Sequence, residues 1–317
     1  MEHYLVADIG GTNARLGLLS VATGELCCIE QFSNKDFPTL ADVIRFYLAA
    51  QINYASPRKA CFAVAAPILD DTISFTNNSW SFSIFDLRQV LGFEELHVMN
   101  DFEAMARSLP HLKGEDVYPI GPNGTSIIGQ TRAVLGPGTG LGVGAAVPTK
   151  NGFIPLPSEG GHASFHPHDE IEAYVADFLL REKGFVCIED VLSGQGLENI
   201  YRALSARALT LELGLTAESI TRQALANSNG LALQTLHTFC AILGSFAGDI
   251  ALTLGARGGV YLAGGILPRF LPFLEQSAFR TRFEAKGSYR SYAAEIGSYV
   301  IINKQPGLMG AATYFRD

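Results

Sequence analysis

The sequence predicts an α/β protein made of two lobes, and three observations carry that prediction. Residues 3–7 and 14–19 are apolar runs joined by Asp8-Ile9-Gly10-Gly11-Thr12-Asn13, which reads as strand, glycine turn, strand. Residues 133–135 and 143–147 repeat the design around Gly136-Pro137-Gly138-Thr139-Gly140-Leu141-Gly142. At 317 residues the chain is long enough for each lobe to have its own core. Two such hairpins, far apart in sequence, imply two related halves that hold one nucleotide.

The first turn explains why. Glycine at a hairpin tip accepts positive φ without steric cost, and adjacent glycines leave backbone N–H groups open to a ligand. Asp8 ends the first run, and Thr12 and Asn13 add hydrogen-bonding side chains. A carboxylate, open amides and a hydroxyl at one strand end suit a phosphate and its Mg²⁺. A plain glycine-rich hairpin with a capping Asp is the alternative. The second turn contains the letters of a dinucleotide fingerprint, but that motif needs a helix directly after it. Residues 143–147 read as a strand instead, so a second phosphate hairpin is the better fit. Pro137 has no N–H, so no phosphate contact comes from that amide. No Walker A sequence is present, which excludes a P-loop as the phosphate grip.

Between the hairpins, residues 24–33 read as a third strand, giving the sheet an antiparallel start. Residues 40–51 read as a helix with Leu40, Val43, Ile44, Tyr47 and Leu48 on one face and Pro38-Thr39 at its start. Residues 59–65 form a short buried strand ended by Pro67, and 70–75 lead to Thr76-Asn77-Asn78-Ser79-Trp80. A helix over 84–91 is capped by Ser83. The strand 96–99 delivers Asn100-Asp101 at its C-terminal end, where open α/β sheets bind ligands. A helix over 102–109 follows, broken by Pro110, and 120–129 is a loop.

Beyond the second hairpin, Phe153-Ile154-Pro155-Leu156-Pro157-Ser158-Glu159-Gly160-Gly161-His162 carries too much proline and glycine for a regular element. Loops of that kind often hold site residues. Amphipathic helices are expected over 171–183 and 196–209, and a mostly apolar, buried one over 231–254. A strand over 259–263 runs into Gly264-Gly265-Ile266, and a last helix starts near Leu308.

DIGGTNARLGL at Asp8, NDFEA at Asn100, GPGTGLG at Gly136, SEGGH at Ser158, EDVLSGQGL at Glu189, LAGGI at Leu262 and PGLMGAA at Pro306 form an ordered set over essentially the whole chain. In that set the chain resembles the bacterial ATP-dependent glucokinases of the hexokinase–actin superfamily, in the branch without a zinc motif. The resemblance implies the two-lobed, actin-like ATPase (RNase H-like) sugar-kinase fold with an inter-lobe cleft. A small lobe would cover 1–109 plus about 302–317, with the C-terminal helix packed back on it, and a large lobe 110–301. The implied reaction is phosphorylation of D-glucose at its 6-hydroxyl by ATP with Mg²⁺. A kinase for another hexose, such as mannose, fructose or an amino sugar, is the alternative. A homodimer is also implied.

By the same resemblance, Asp101 is the catalytic base for the 6-hydroxyl, and Asn100 binds the sugar. A sugar hydroxyl is a poor nucleophile, and a carboxylate in reach takes its proton as the phosphoryl group arrives. Capping of the following helix is the competing role for this pair. Glu159, His162 and Glu189 are the remaining sugar ligands, of types that answer hydroxyls able both to donate and to accept. An ordinary acid before a helix remains open for Glu189. Asp8, Gly10, Gly11, Thr12 and Asn13 form the first phosphate loop, with Asp8 acting on Mg²⁺ through its waters. Gly138, Thr139 and Gly140 belong to the second. Gly264 and Gly265 resemble the adenosine motif, with a plain strand-to-helix turn as the alternative. A metal site at His162, His166 and His168 lacks zinc spacing and a completing cysteine, so no metal held by protein alone is expected.

Composition narrows the remaining classes. Apolar residues make up 48% and charged ones 17%, which describes a globular chain. The net charge of −8, without a basic cluster, argues against nucleic acid and anionic membranes. The first strand begins too early for a signal peptide, and no uninterrupted apolar run reaches a membrane span. The five cysteines, Cys27, Cys28, Cys61, Cys187 and Cys240, form no C-x-x-C and fit reduced thiols in the cytoplasm. A sugar-responsive regulator would need an N-terminal helix-turn-helix, for which no room precedes Asp8. A motor-like ATPase has no use for the sugar-ligand set.

Overall fold

The apolar run at the start of the chain becomes β1 (His3–Ile9), paired antiparallel with β2 (Asn13–Ser20) through Asp8 opposite Arg15 and Ile9 opposite Ala14. The computed structural model describes residues 2–75, 80–121, 126–210, 214–226 and 230–316. Thr76-Asn77-Asn78-Ser79 and part of the loop expected over 120–129 lie outside the described residues. The chain divides into two compact units, Met1–Leu112 with Phe153–Pro157 and Lys304–Asp317, and Lys113–Gly152 with Ser158–Asn303.

In the first unit, β3 (Leu26–Ser33) extends the hairpin. Helix α1 (Leu40–Ala50) follows, with Thr39 accepting from the Asp42 amide as N-cap. β4 (Lys59–Val64) is parallel to β1, β5 (Thr72–Ser74) and β6 (Ser81–Ser83) form a separate pair, and α2 (Ile84–Leu91) is capped by Ser83 and ended by left-handed Gly92. β7 (Glu95–Asn100) is parallel to β4 and leads into α3 (Asp101–Ser108). The sheet order is β3-β2-β1-β4-β7. Its register aligns Ile9 with Val64 and Val64 with Asn100, so β1 and β7 end at one sheet edge, two strands apart.

The second unit repeats the plan. β8 (Val117–Pro119) precedes β9 (Arg132–Pro137) and β10 (Leu141–Thr149), an antiparallel pair around the second glycine turn. β11 (Gly152–Ser158), of which Phe153–Pro157 counts with the first unit, corrects the sequence reading, which expected no regular element there. Pro155 and Pro157 are tolerated because β11 is an edge strand of the order β11-β10-β9-β12-β13-β8. Helix α4 (Glu170–Lys183) is capped by Asp169, and α5 (Gly194–Arg207) by Ser193. α6 (Ala217–Ala226) has no counterpart in the sequence reading.

α7 (Leu231–Thr253) is by length and mean hydropathy apolar enough to cross a membrane, but Gln234, His237 and Asp249 interrupt its apolar run and 72% of its apolar window is buried inside the structure. β12 (Val260–Leu262) is parallel to β9, with Leu262 opposite Leu135. Short helices α8 (Leu271–Gln276), α9 (Phe279–Glu284) and α10 (Arg290–Ala294) precede β13 (Ser298–Ile301).

The chain then returns to the first unit as α11 (Pro306–Thr313). A Cβ on Gly310 would lie 1.8 Å from the Ala104 carbonyl oxygen, so α11 meets α3 backbone to backbone. Leu308, Ala311 and Ala312 complete one core with Val6, Cys61, Met99 and Ala104 on that face of the sheet. Leu5, Ile9, Ile44, Tyr47 and Phe62 build the core on the other face. The second unit has its own core around Leu135, Leu197, Phe239, Phe279 and Phe283.

Candidate active site

The first glycine turn is closed by the Gly10 amide donating to the Asn13 oxygen at 2.9 Å. Gly10 has no left-handed φ, which corrects the conformational reason the sequence suggests for the first turn, and Gly138 and Gly140 have none either. What they provide is the lack of a side chain. Thr12 and Asn13 are exposed at the tip. Asn34, which the sequence reading missed, braces the turn from behind. Its amide donates to the Thr12 oxygen and its Nδ2 to the Gly10 oxygen, both at 2.9 Å.

Asp8 sits at the base of this turn with its side chain 23% exposed and Arg15 Nη1 4.0 Å away. Arg15 spends its stronger bonds elsewhere, on the Lys304 oxygen at 2.8 Å and Gln31 Oε1 at 2.7 Å. A Cβ on Gly307 would meet Asp8 Oδ2 at 2.5 Å, so the first turn of α11 abuts the carboxylate. Burial pushes the Asp8 carboxyl above its ordinary range, and Arg15 pulls it partly back.

At the same sheet edge, Asn100 caps α3. Its Oδ1 accepts from the amides of Phe102 at 2.8 Å and Glu103 at 3.4 Å, and its Nδ2 donates to the Ala66 oxygen at 3.3 Å. The capping role weighed from sequence is therefore real for Asn100. Asp101 is the first residue of α3, half-buried, with Oδ1 2.9 Å from the Phe102 amide. The structure thus gathers Asp8, Gly10, Gly11, Thr12, Asn13, Asn100 and Asp101 along one edge of the first unit's sheet.

The second unit gathers the rest. The turn at Gly138, Thr139 and Gly140 closes through the Gly138 amide on the Gly140 oxygen at 2.8 Å. The Gly194 amide, at the start of α5, donates to the Gly138 oxygen at 2.8 Å. On the other side of the turn, the Leu141 amide donates to Glu189 Oε2 at 2.7 Å. A Cβ on Gly140 would fall 2.5 Å from that same oxygen. Glu189 lies in the 3₁₀ turn Ile188–Asp190, just before α5.

Gly264 has φ +92°, and a Cβ there would sit 2.4 Å from the Pro137 oxygen, while Gly265 beside it is exposed. Glu159 and His162 bracket the 3₁₀ turn Gly160–His162, with both side chains exposed. A Cβ on Gly161 would lie 2.0 Å from the Leu141 oxygen, so this turn packs on the start of β10. The Ile188 amide donates to the Ala163 oxygen at 2.8 Å, tying the His162 and Glu189 segments together. His166 and His168 lie ring to ring at 5.9 Å beside a cavity of about 40 Å³ also lined by Glu172 and Asp249. Among the described residues no group of three or more His, Cys, Asp or Glu is arranged to hold a metal ion.

Three comparisons bear on this geometry. The model of the family described as Glucokinase matches residues 5–317. The glucokinase of Salmonella arizonae is 44% identical over 316 residues, covering 100% of this chain and 98% of that protein. A crystal structure of glucokinase from an Antarctic psychrotroph superposes with a TM-score of 0.88 at 36% identity, over 100% of this chain and 99% of that one. The glucokinase of Balamuthia mandrillaris, solved in complex with glucose, shares the fold with a TM-score of 0.79 at 23% identity, over 100% and 94% of the two chains.

Proposed function

The chain belongs to the glucokinase family, and from that premise we infer that it transfers the γ-phosphoryl group of ATP to the 6-hydroxyl of D-glucose. The products are glucose 6-phosphate and ADP. The observation that carries the assignment of roles is the shared sheet edge. Asn100 ends β7 and Asp101 opens α3, two strands from the glycine turn that follows β1.

Asp101 takes the proton of the 6-hydroxyl as that oxygen bonds to the γ-phosphorus and the bond to the ADP oxygen breaks. Asn100, held by its capping bonds, presents its amide to the sugar. Glu159, His162 and Glu189 bind the remaining hydroxyls. A sugar with a missing or inverted hydroxyl leaves such groups unpaired, which is the source of selectivity. Gly11, Thr12 and Asn13 hold phosphate oxygens through backbone and side-chain donors, as do Thr139 and Gly140, while Gly10 and Gly138, whose amides close the turns, let the phosphates approach for want of a side chain. Gly264 and Gly265 lie against adenosine, where the lack of side chains leaves room for it.

Asp8 suits a Mg²⁺ accompanying the nucleotide, since its carboxylate borders the turn and Arg15 stands off at 4.0 Å. The ion supplies neutralisation of phosphate charge, and Asp8 would hold it through water. We assign the branch without a zinc motif, because no cysteine follows His162 before Cys187. A cytoplasmic homodimer acting at the entry to glycolysis completes the reading. It rests on the family resemblance and on five cysteines without a C-x-x-C pair, all of them free thiols. ATP-dependent phosphate transfer across a panel of hexoses, with products identified by NMR, tests the substrate. Turnover centred on glucose is expected; preference for mannose, fructose or an amino sugar would move the substrate and keep the fold.

A further inference from the structure

Glu189 is tied to the second glycine turn. Its Oε2 accepts the Leu141 amide at 2.7 Å, and Oε1 carries no hydrogen bond among the described residues. Leu141 is buried and follows directly on Gly138-Thr139-Gly140. Five residues beyond Glu189, the Gly194 amide donates to the Gly138 oxygen at 2.8 Å. One segment therefore grips the turn on both flanks, by an acceptor on the outgoing strand and a donor on the incoming one. Gly140 is fitted to this grip, because a methyl there would fall 2.5 Å from the carboxylate oxygen.

We propose that Glu189 is a positioning residue for the nucleotide: its carboxylate, anchored on the Leu141 amide, fixes the 138–140 turn that binds phosphate, while its second oxygen faces the sugar. The proposal rests on the reading of Glu189 as a sugar ligand and of 138–140 as a phosphate turn. A charge-assisted bond to a buried amide resists displacement, and its loss leaves that amide unpaired. The carboxylate then couples the two substrates: a sugar hydroxyl that orders it also orders the turn, and coupling of this kind acts in both directions.

The test is calorimetric titration with a non-hydrolysable ATP analogue in the absence of sugar, on wild type, Glu189→Ala and Glu189→Gln, with glucose titrated separately. The amide oxygen of glutamine can still accept from Leu141. Glu189→Ala is therefore expected to weaken analogue binding by roughly tenfold, and Glu189→Gln by no more than about threefold, while both lose glucose affinity. Gly140→Ala, which drives a methyl into the carboxylate, is expected to weaken glucose binding with no nucleotide present. Analogue binding unchanged in Glu189→Ala, or glutamine failing to rescue it, would overturn the proposal, as would wild-type glucose affinity in Gly140→Ala. Wild type that binds the analogue but not glucose would instead remove the parent assignment of the sugar site. Melting curves on each variant separate a lost fold from a lost contact, and the glutamine rescue is a readout that a purely structural role would not move.

Discussion

Asp8 shows what the site costs the fold. Its carboxyl is pushed above the ordinary range, chiefly by burial, so the native state disfavours the charged form. A group raised in this way contributes its full stability below the unfolded pKa and loses it as pH rises through the folded one. At neutral pH Asp8 therefore costs stability, as fits the Mg²⁺ role proposed for it. Asp8→Asn is expected to raise the melting temperature at pH 7, with the gain shrinking as pH falls toward 4, and to abolish most activity at every pH. A lower melting temperature at pH 7 would contradict this. The sequence named Asp8 and the turn after it because they sit together in one short motif. It did not name Asn34, and it held Gly307 only as part of PGLMGAA; their contacts with the turn and with Asp8 span 24 and 299 positions and leave no local pattern. Glu189 was named as a sugar ligand, but its bond to Leu141 crosses 48 positions and was invisible.

Among the elements, α3 and α11 bear most directly on chemistry, because α3 begins with Asp101 and rests on α11 through Gly310 and Ala104. Gly310→Ala inserts a methyl where a carbonyl oxygen stands 1.8 Å away. Overpacking of that kind costs about 3 kcal/mol, and thermal melts should fall by several degrees. Because α11 must withdraw from α3, kcat should fall as well; an unchanged melt would show that the helices separate freely.

Elements with caps and strong periodicity, such as α1 behind Thr39 and α2 between Ser83 and Gly92, were legible to within a residue. β11 was not, because proline content argues against a strand until its edge position is known. The glycine turns lie where the sequence put them, and of the two reasons read for the first, open backbone and positive φ, the second does not hold at Gly10. Among the site glycines with a described backbone, only Gly264 takes a left-handed φ. Gly264→Ala should cost on the order of 2 kcal/mol, read in the same melts, through backbone strain and the clash with Pro137.

At the scale of the molecule, the repetition seen in sequence is a repetition of sheet plan. In each unit a glycine hairpin is followed by a strand parallel to its first member, β4 beside β1 and β12 beside β9. Apolar periodicity made that plan legible, and the spacing of the two hairpins made the division into two units legible. Between α5 and α11 the long apolar α7 and the strand β12 were legible, whereas α6 and the short α8–α10 were not, since they carry few residues each and weak patterns. Sedimentation equilibrium should give about twice the 34.1 kDa chain mass for the proposed homodimer, and a single-chain mass would refute it.

Asp101 is the proposed base, and steady-state kinetics of Asp101→Asn beside wild type decide whether it is. With the base removed and the helix start preserved, kcat on glucose should fall by about 10²–10⁴. Affinities for glucose and for the ATP analogue should stay within a few-fold of wild type. A kcat within about threefold of wild type would contradict the assignment.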